Sequence, residues 1–221
     1  MKRLIVNADD LGHSKGINEG IIKGYKDGIV TSTSLMVYGQ AVDGAIDLIK
    51  KNPGLGVGLH FQIKDYDWNL LWNLKKVVAA ILIEDTKKEF LNQIKIFQKL
   101  TDKMPDHIDG HYHVHRMPRI YRFIHAYGRE NHIPLRGDVN FIRSFFGKSS
   151  NEAVTVGNLV GILRNLPDGI SELMCHPGFV SVDLKSSYLK QREIELGTLT
   201  SPEIKRELKR LRIELIPWNK I

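Results

Sequence analysis

Arg3-Leu4-Ile5-Val6-Asn7-Ala8-Asp9-Asp10 is a short aliphatic run that ends on two carboxylates. The run suits a buried strand, and the charged pair falls where that strand would stop. The arrangement recurs along the chain. Val57-Gly58-Leu59 ends on His60, Ile108 leads to His111, and Leu173-Met174-Cys175 ends on His176. In (β/α) barrels the functional groups come from the ends of several strands on one face. Four polar clusters at four strand ends therefore favour a barrel over a doubly wound sheet.

The segments between these runs are helical in pattern. Ile17–Lys26 is amphipathic and stops at Gly28, and Ala41–Lys51 is ended by Asn52-Pro53-Gly54. Thr86-Lys87-Lys88-Glu89 reads as a capping box that opens a helix with Phe90, Ile94 and Phe97 on its buried stripe. Pro118–Glu130 follows, and Pro202 starts a last helix with the stripe Ile204, Leu208 and Leu211. Further strands are expected at Val30–Val37, Leu55–Phe61, Ile133–Arg136, Ile170–Cys175 and Leu215-Ile216. Alternating strand and helix predicts βαβ units around a parallel sheet. The fold class is α/β: a single-domain (β/α) barrel-like fold over residues 1–221, incomplete or distorted given 221 residues.

His107-Ile108-Asp109-Gly110-His111-Tyr112-His113-Val114-His115 is the densest chemical stretch. As an extended strand it would put His107, Asp109, His111, His113 and His115 on one face, with Ile108, Tyr112 and Val114 on the other. Imidazole and carboxylate are the usual ligands of a catalytic divalent metal. The plainer alternative is a solvated, His-rich edge strand. Asp9-Asp10 likewise reads two ways. One carboxylate could ligate a metal while the other acts as a general base, or the pair could start a turn before Gly12. Neighbours on a strand point oppositely, so the two are expected to differ in task. His60 is a ligand or a satisfied core histidine. Cys175 reads as a small core residue, leaving His176 at the strand end as the proton donor.

Composition narrows the partners. The hydrophobic share of 42% and charged share of 26% are ordinary for a soluble globular protein. A single cysteine rules out an internal disulfide and points to the cytoplasm. The N-terminal apolar run is too short for a signal peptide, and the run Val77–Ile83 is too short to span a membrane, so no membrane partner is expected. The net charge of +7 permits an anionic partner without requiring one. Much of the excess lies at Lys185, Lys190, Arg192, Lys205, Arg206, Lys209, Arg210 and Arg212, interleaved with Glu193, Glu195, Glu203, Glu207 and Glu214. That reads as an exposed helix face laced with ion pairs. It lacks stacking aromatics and nucleic-acid-binding motifs, so no nucleic-acid partner is expected. There is no serine elbow, P-loop or zinc ribbon. Metal-activated water is the nucleophile that remains.

Together, Val6-Asn7-Ala8-Asp9-Asp10-Leu11-Gly12, Gly58-Leu59-His60, the His107–His115 run and Met174-Cys175-His176-Pro177-Gly178 resemble the YdjC-like carbohydrate deacetylases, typified by chitooligosaccharide deacetylase. Ile29-Val30-Thr31-Ser32-Thr33-Ser34 and the tail around Tyr188, Arg192, Glu195-Leu196 and Leu199-Thr200-Ser201 also fit. The resemblance runs in order over nearly the whole chain. It implies a barrel akin to polysaccharide deacetylases and one divalent metal, Zn²⁺ or Mg²⁺, held by Asp10, His60 and His111. It also implies Asp9 as general base, with His176 chosen here as the acid. His113 and His115 would line the substrate cleft or orient the ligands.

The expected reaction is removal of an N-acetyl group from a small N-acetylglucosamine-containing oligosaccharide. The rivals are a metal-dependent phosphoesterase and a non-catalytic sugar- or metal-binding protein. The chain departs from the family at Gln62–Asp85, which is compact and carries Trp68 and Trp72, for stacking on sugars or for packing. A homodimer is the base-rate expectation.

Overall fold

Among the described residues every strand pairing is parallel, and the first strand sits in the middle of the sheet. The computed structural model describes residues 1–63, 78–147, 150–180 and 187–221, and no side chain over 78–83. Trp68 and Trp72 lie outside the described residues. The strands are β1 (Lys2–Leu11), β2 (Ser32–Leu35), β3 (Gly56–Phe61), β4 (Ile108–Gly110), β5 (Asn140–Ile142), β6 (Gly169–Cys175) and β7 (Glu214–Leu215). They form one sheet in the order β4-β3-β2-β1-β6-β5, with β7 also on β1. The helices are α1 (Lys15–Asp27), α2 (Val42–Lys51), α3 (Val78–Thr101), α4 (Pro118–Glu130), α5 (Val156–Arg164), α6 (Lys190–Leu199) and α7 (Pro202–Arg210). Among the described residues, no helix is long and apolar enough to cross a membrane.

The alternation of each strand divides its side chains between two environments. Leu4, Val6 and Ala8 of β1, Val57, Leu59 and Phe61 of β3, and Ile108 and Leu173 join the helices in one apolar core. The other face turns into the barrel. Its lower end is closed by Ile5, Ile216 and Trp218, against which Val139 and Ile170 pack. The turn after β7 holds this plug in place, because the Ile216 N–H donates to the Leu4 carbonyl and the Trp218 N–H to Ser32 Oγ. Above the plug the interior becomes polar, with Asn7, Ser34, His107, Asp109 and Glu172 all fully buried.

One irregular stretch spans the open side of the barrel. Ile108 forms a parallel bridge with Leu135, while Asn140–Ile142 pairs with β6. The expected strand at Ile133–Arg136 is therefore only that bridge. Asp138 ends it, its carboxylate accepting from the Leu135 N–H at 2.8 Å and its own N–H turning back to the Leu135 carbonyl. β5 and α5 have weaker sequence patterns and were not expected as elements. Thr86 also differs: it is buried inside α3, which starts a full two turns earlier at Val78. The helix formers Ala79, Ala80 and Leu82 extend that helix upstream past the capping signal. Pro118–Glu130 forms as expected, and Phe90, Ile94 and Phe97 are buried as expected.

The interior leaves no room at Gly58, which lies beside His107 across the β3–β4 pair. A Cβ there would come within 2.3 Å of the His107 ring. That ring is held by Ser34 Oγ at 3.1 Å and stacks on Trp218 with centroids 5.0 Å apart. Gly58→Ala should therefore cost about 1–3 kcal/mol of stability, read from the urea midpoint. An unchanged midpoint would show that His107 can turn away freely.

Candidate metal centre and catalytic site

Three strands aim a carboxylate into the barrel, and one guanidinium meets all three. Arg136 holds Asp9 with two bonds of 2.7 Å, and it reaches Asp109 Oδ2 and Glu172 Oε1 at 2.8 Å each. All four groups are buried. An unpaired charge at that depth is prohibitive, and a planar five-donor fork can serve several acceptors at once. Burial pushes the Asp9 and Asp109 carboxyls upward, but the Arg136 charge outweighs it and leaves both below their ordinary range. Glu172 receives less compensation, and burial raises it to about 7.

Asp109 has a second task. Its Oδ1 lies 2.7 Å from His60 Nδ1, and its Oδ2 accepts from Ser34 Oγ at 2.7 Å. This fixes the His60 ring so that Nε2 faces Asp10. Burial disfavours a charged His60 ring, yet the charge of Asp109, its hydrogen bond and the neighbouring aspartates outweigh it and raise the pKa to about 10. A cation arriving at Nε2 would displace that proton.

Asp10 breaks the alternation of its strand. Its φ is +72°, and the β1–β2 register shifts between Ala8 and Leu11. This bulge lets two successive aspartates reach one site, where a regular strand would part them. Asp10 Oδ1 stands 3.4 Å from His60 Nε2 and 3.3 Å from His111 Nδ1, and it has no hydrogen-bond partner among the described residues. Asp10, His60 and His111 each offer one ligand atom within 4.8 Å of the others. A buried, unpartnered carboxylate oxygen facing two imidazole nitrogens fits a divalent cation. Asp9, His60 and Asp109 form a second such group, but Arg136 already pairs with both of its carboxylates.

The histidine-rich run is not one strand. β4 ends at Gly110, and His111–Arg116 forms a tight turn in which Tyr112 and His113 have φ of 51° and 57°. Only His107 and Asp109 keep the shared face. The turn swings His111 toward Asp10 and leaves Tyr112 69% exposed. His113 is half-buried, edge-on to Phe141. His115 is fully buried, so it has no surface for a saccharide; burial takes its pKa down to about 3. The expectation that it lines a cleft is thus corrected.

Two further groups come from α6, where an exposed charged face was expected. Arg192 and Glu195 are buried. Arg192 donates to Asp10 Oδ2 at 2.6 Å. Glu195 accepts from the His176 backbone N–H and from the Tyr188 hydroxyl. Burial raises Glu195 to about 8. His176 Nε2 lies 3.9 Å from Asp9 Oδ2, and burial lowers its pKa to about 4. α7 does present the solvated basic face expected, with Lys205, Arg206 and Lys209 exposed.

The family described as YdjC-like protein matches residues 3–210. The chain belongs to the YdjC-like family. A carbohydrate deacetylase from Clostridium beijerinckii is 37% identical over 248 aligned residues, covering 99% of this chain and 100% of that protein. A chitooligosaccharide deacetylase from Serratia marcescens is 33% identical, covering 92% and 93%. Among solved structures, an Enterococcus faecalis protein named for cellobiose-phosphate cleavage superposes with a TM-score of 0.81 at 26% identity, covering 99% and 98%. The family 4 carbohydrate esterase from Streptomyces lividans, in complex with acetate, gives 0.60 at 12% identity, covering 97% and 91%. The fold of this YdjC-like chain is thus a parallel-stranded, incompletely closed barrel like that of the polysaccharide deacetylases; the strand-end pattern pointed to a barrel, and the family resemblance to this kind.

Arg136→Met leaves Asp9, Asp109 and Glu172 buried without their cation. It should cost about 3–5 kcal/mol in urea denaturation. Asp9 and Asp109 have folded pKa values below 3.8, so they add stability above that pH and lose it as pH falls through the folded values. Without Arg136 the folded values rise, and acid unfolding should begin at higher pH. An acid limb identical to wild type would mean that another group holds these carboxylates.

Proposed function

We propose that this YdjC-like chain is a metal-dependent carbohydrate deacetylase that hydrolyses the N-acetyl amide of N-acetylglucosamine-containing oligosaccharides. The reading is carried by the convergence at one strand-end face of Asp10, His60 and His111 with Asp9 and His176. The names of the two relatives, identical at 37% and 33% over nearly full length, support the substrate class.

Asp10, His60 and His111 would hold one divalent ion. Two imidazoles favour Zn²⁺, while the carboxylate is also compatible with Mg²⁺. When bound, the ion supplies a Lewis acid that polarises the acetamide carbonyl, acidifies water and offsets charge on the oxyanion. Asp9 accepts the proton of the attacking water, kept ionised for that task by Arg136 and oriented by Asn7 Nδ2 at 2.9 Å. His176 gives a proton to the departing amine. With a pKa near 4 it rests neutral, so the proton it delivers is the one taken from water. Asp9 Oδ2, 3.9 Å away, is placed to pass it on. The products are acetate and a free amino sugar. His113 touches the saccharide, and His115 steadies the turn that carries His111. The catalytic unit is the whole of 1–221, and the single buried Cys175 suits a cytoplasmic enzyme.

Metal-stripped protein given N,N′-diacetylchitobiose should release acetate only when Zn²⁺ or Mg²⁺ is restored. Asp9→Asn should keep the metal and lose about 10²–10⁴-fold in kcat, whereas His111→Ala should lose the metal. Phosphate release from an aryl phosphate without any acetate would replace the reading with a phosphoesterase. Metal and sugar binding with no turnover would replace it with a binding protein.

A further inference from the structure

We infer that Arg192 is a positioning residue that restricts Asp10 to one donor oxygen, and so keeps part of a bound cation's coordination sphere for substrate. The inference rests on the reading that Asp10, His60 and His111 hold a divalent cation.

The two oxygens of Asp10 are treated differently. Oδ2 takes a 2.6 Å bond from the Arg192 guanidinium, while Oδ1 alone faces His60 and His111. Arg192 cannot swing aside. Its Nε donates to the Tyr188 carbonyl at 3.1 Å, its Nη1 lies 3.5 Å from the His176 carbonyl, and its own carbonyl accepts from the Gly178 N–H at 3.3 Å. Arg192 is only 4% exposed. The same guanidinium thus ties the metal-facing aspartate to the loop that carries His176.

A carboxylate can bind a cation through one oxygen or both. Binding through both would take up a position that a catalytic centre leaves open. A guanidinium beside a dication also repels it, so its contribution there is to geometry and not to affinity. Asp9 shows the contrast, with both oxygens engaged by Arg136.

Co²⁺ binding and acetate binding to the Co²⁺ protein, both followed by visible absorption, separate the possibilities. Removing an outer partner that serves affinity costs about 10–100-fold in metal binding; Arg192→Met should instead bind Co²⁺ within about threefold of wild type, or more tightly. Its acetate affinity should fall by about tenfold or more, with kcat falling alongside. Arg192→Lys keeps one cationic donor for Oδ2 and should bind Co²⁺ and acetate nearly as wild type does. This second variant carries the test if the methionine variant does not fold, as judged by melting of the metal-free protein. A methionine variant that loses Co²⁺ more than about tenfold, or that keeps wild-type acetate binding, overturns the inference. So does a lysine variant that holds Co²⁺ but not acetate. Wild-type protein that takes up no Co²⁺ would overturn the metal reading itself, and this inference with it.

Discussion

The buried guanidinium of Arg136 is the constraint on which the barrel interior depends. Asp9 on β1, Asp109 on β4 and Glu172 on β6 point inward because strand alternation leaves them no other direction. Desolvating three carboxylates together is untenable without a cation among them. The cation comes from the stretch that spans the open side of the barrel between the bridge at Leu135 and the pairing at Asn140. Buried ion clusters seldom add net stability over an apolar core. Here the cluster instead fixes the orientation of Asp9 and, through Asp109, of His60.

Two adjacent aspartates are given different work by two arginines. Asp9 is gripped at both oxygens and Asp10 at one. The remaining Asp10 oxygen has two imidazole nitrogens for neighbours and no hydrogen bond. The bulge at Asp10 makes this division possible, since a regular strand would have sent one of the pair to the helix side.

Much of this was legible in the sequence because barrel chemistry collects at strand ends. Asp9, Asp10, His60, His111 and His176 stand where apolar runs stop, and the structure brings all five together. The histidine run misled because alternation was extended through Tyr112 and His113, whose left-handed backbone no local pattern announces. Arg192 and Glu195 looked like members of a solvated helix face, since sequence spacing does not show which turn of a helix meets a neighbour. Glu172 did carry a signal: a lone carboxylate inside Ile170-Ser171-Glu172-Leu173 requires a buried partner. That partner, Arg136, lies 36 residues away on an irregular stretch with no strand pattern of its own.

The central place of β1 has a kinetic consequence. Its neighbours β6 and β7 lie far along the chain, with Lys2 beside Gly169 and Arg3 beside Glu214. Loop closure over such separations must be met before those pairings give any return, so parallel sheets of this kind fold slowly. Until β6 arrives, β1 has an unsatisfied edge on one side, and its hydrophobic residues are open to other chains. The strand that carries Asp9 and Asp10 is thus also one exposed to misassembly while the molecule folds.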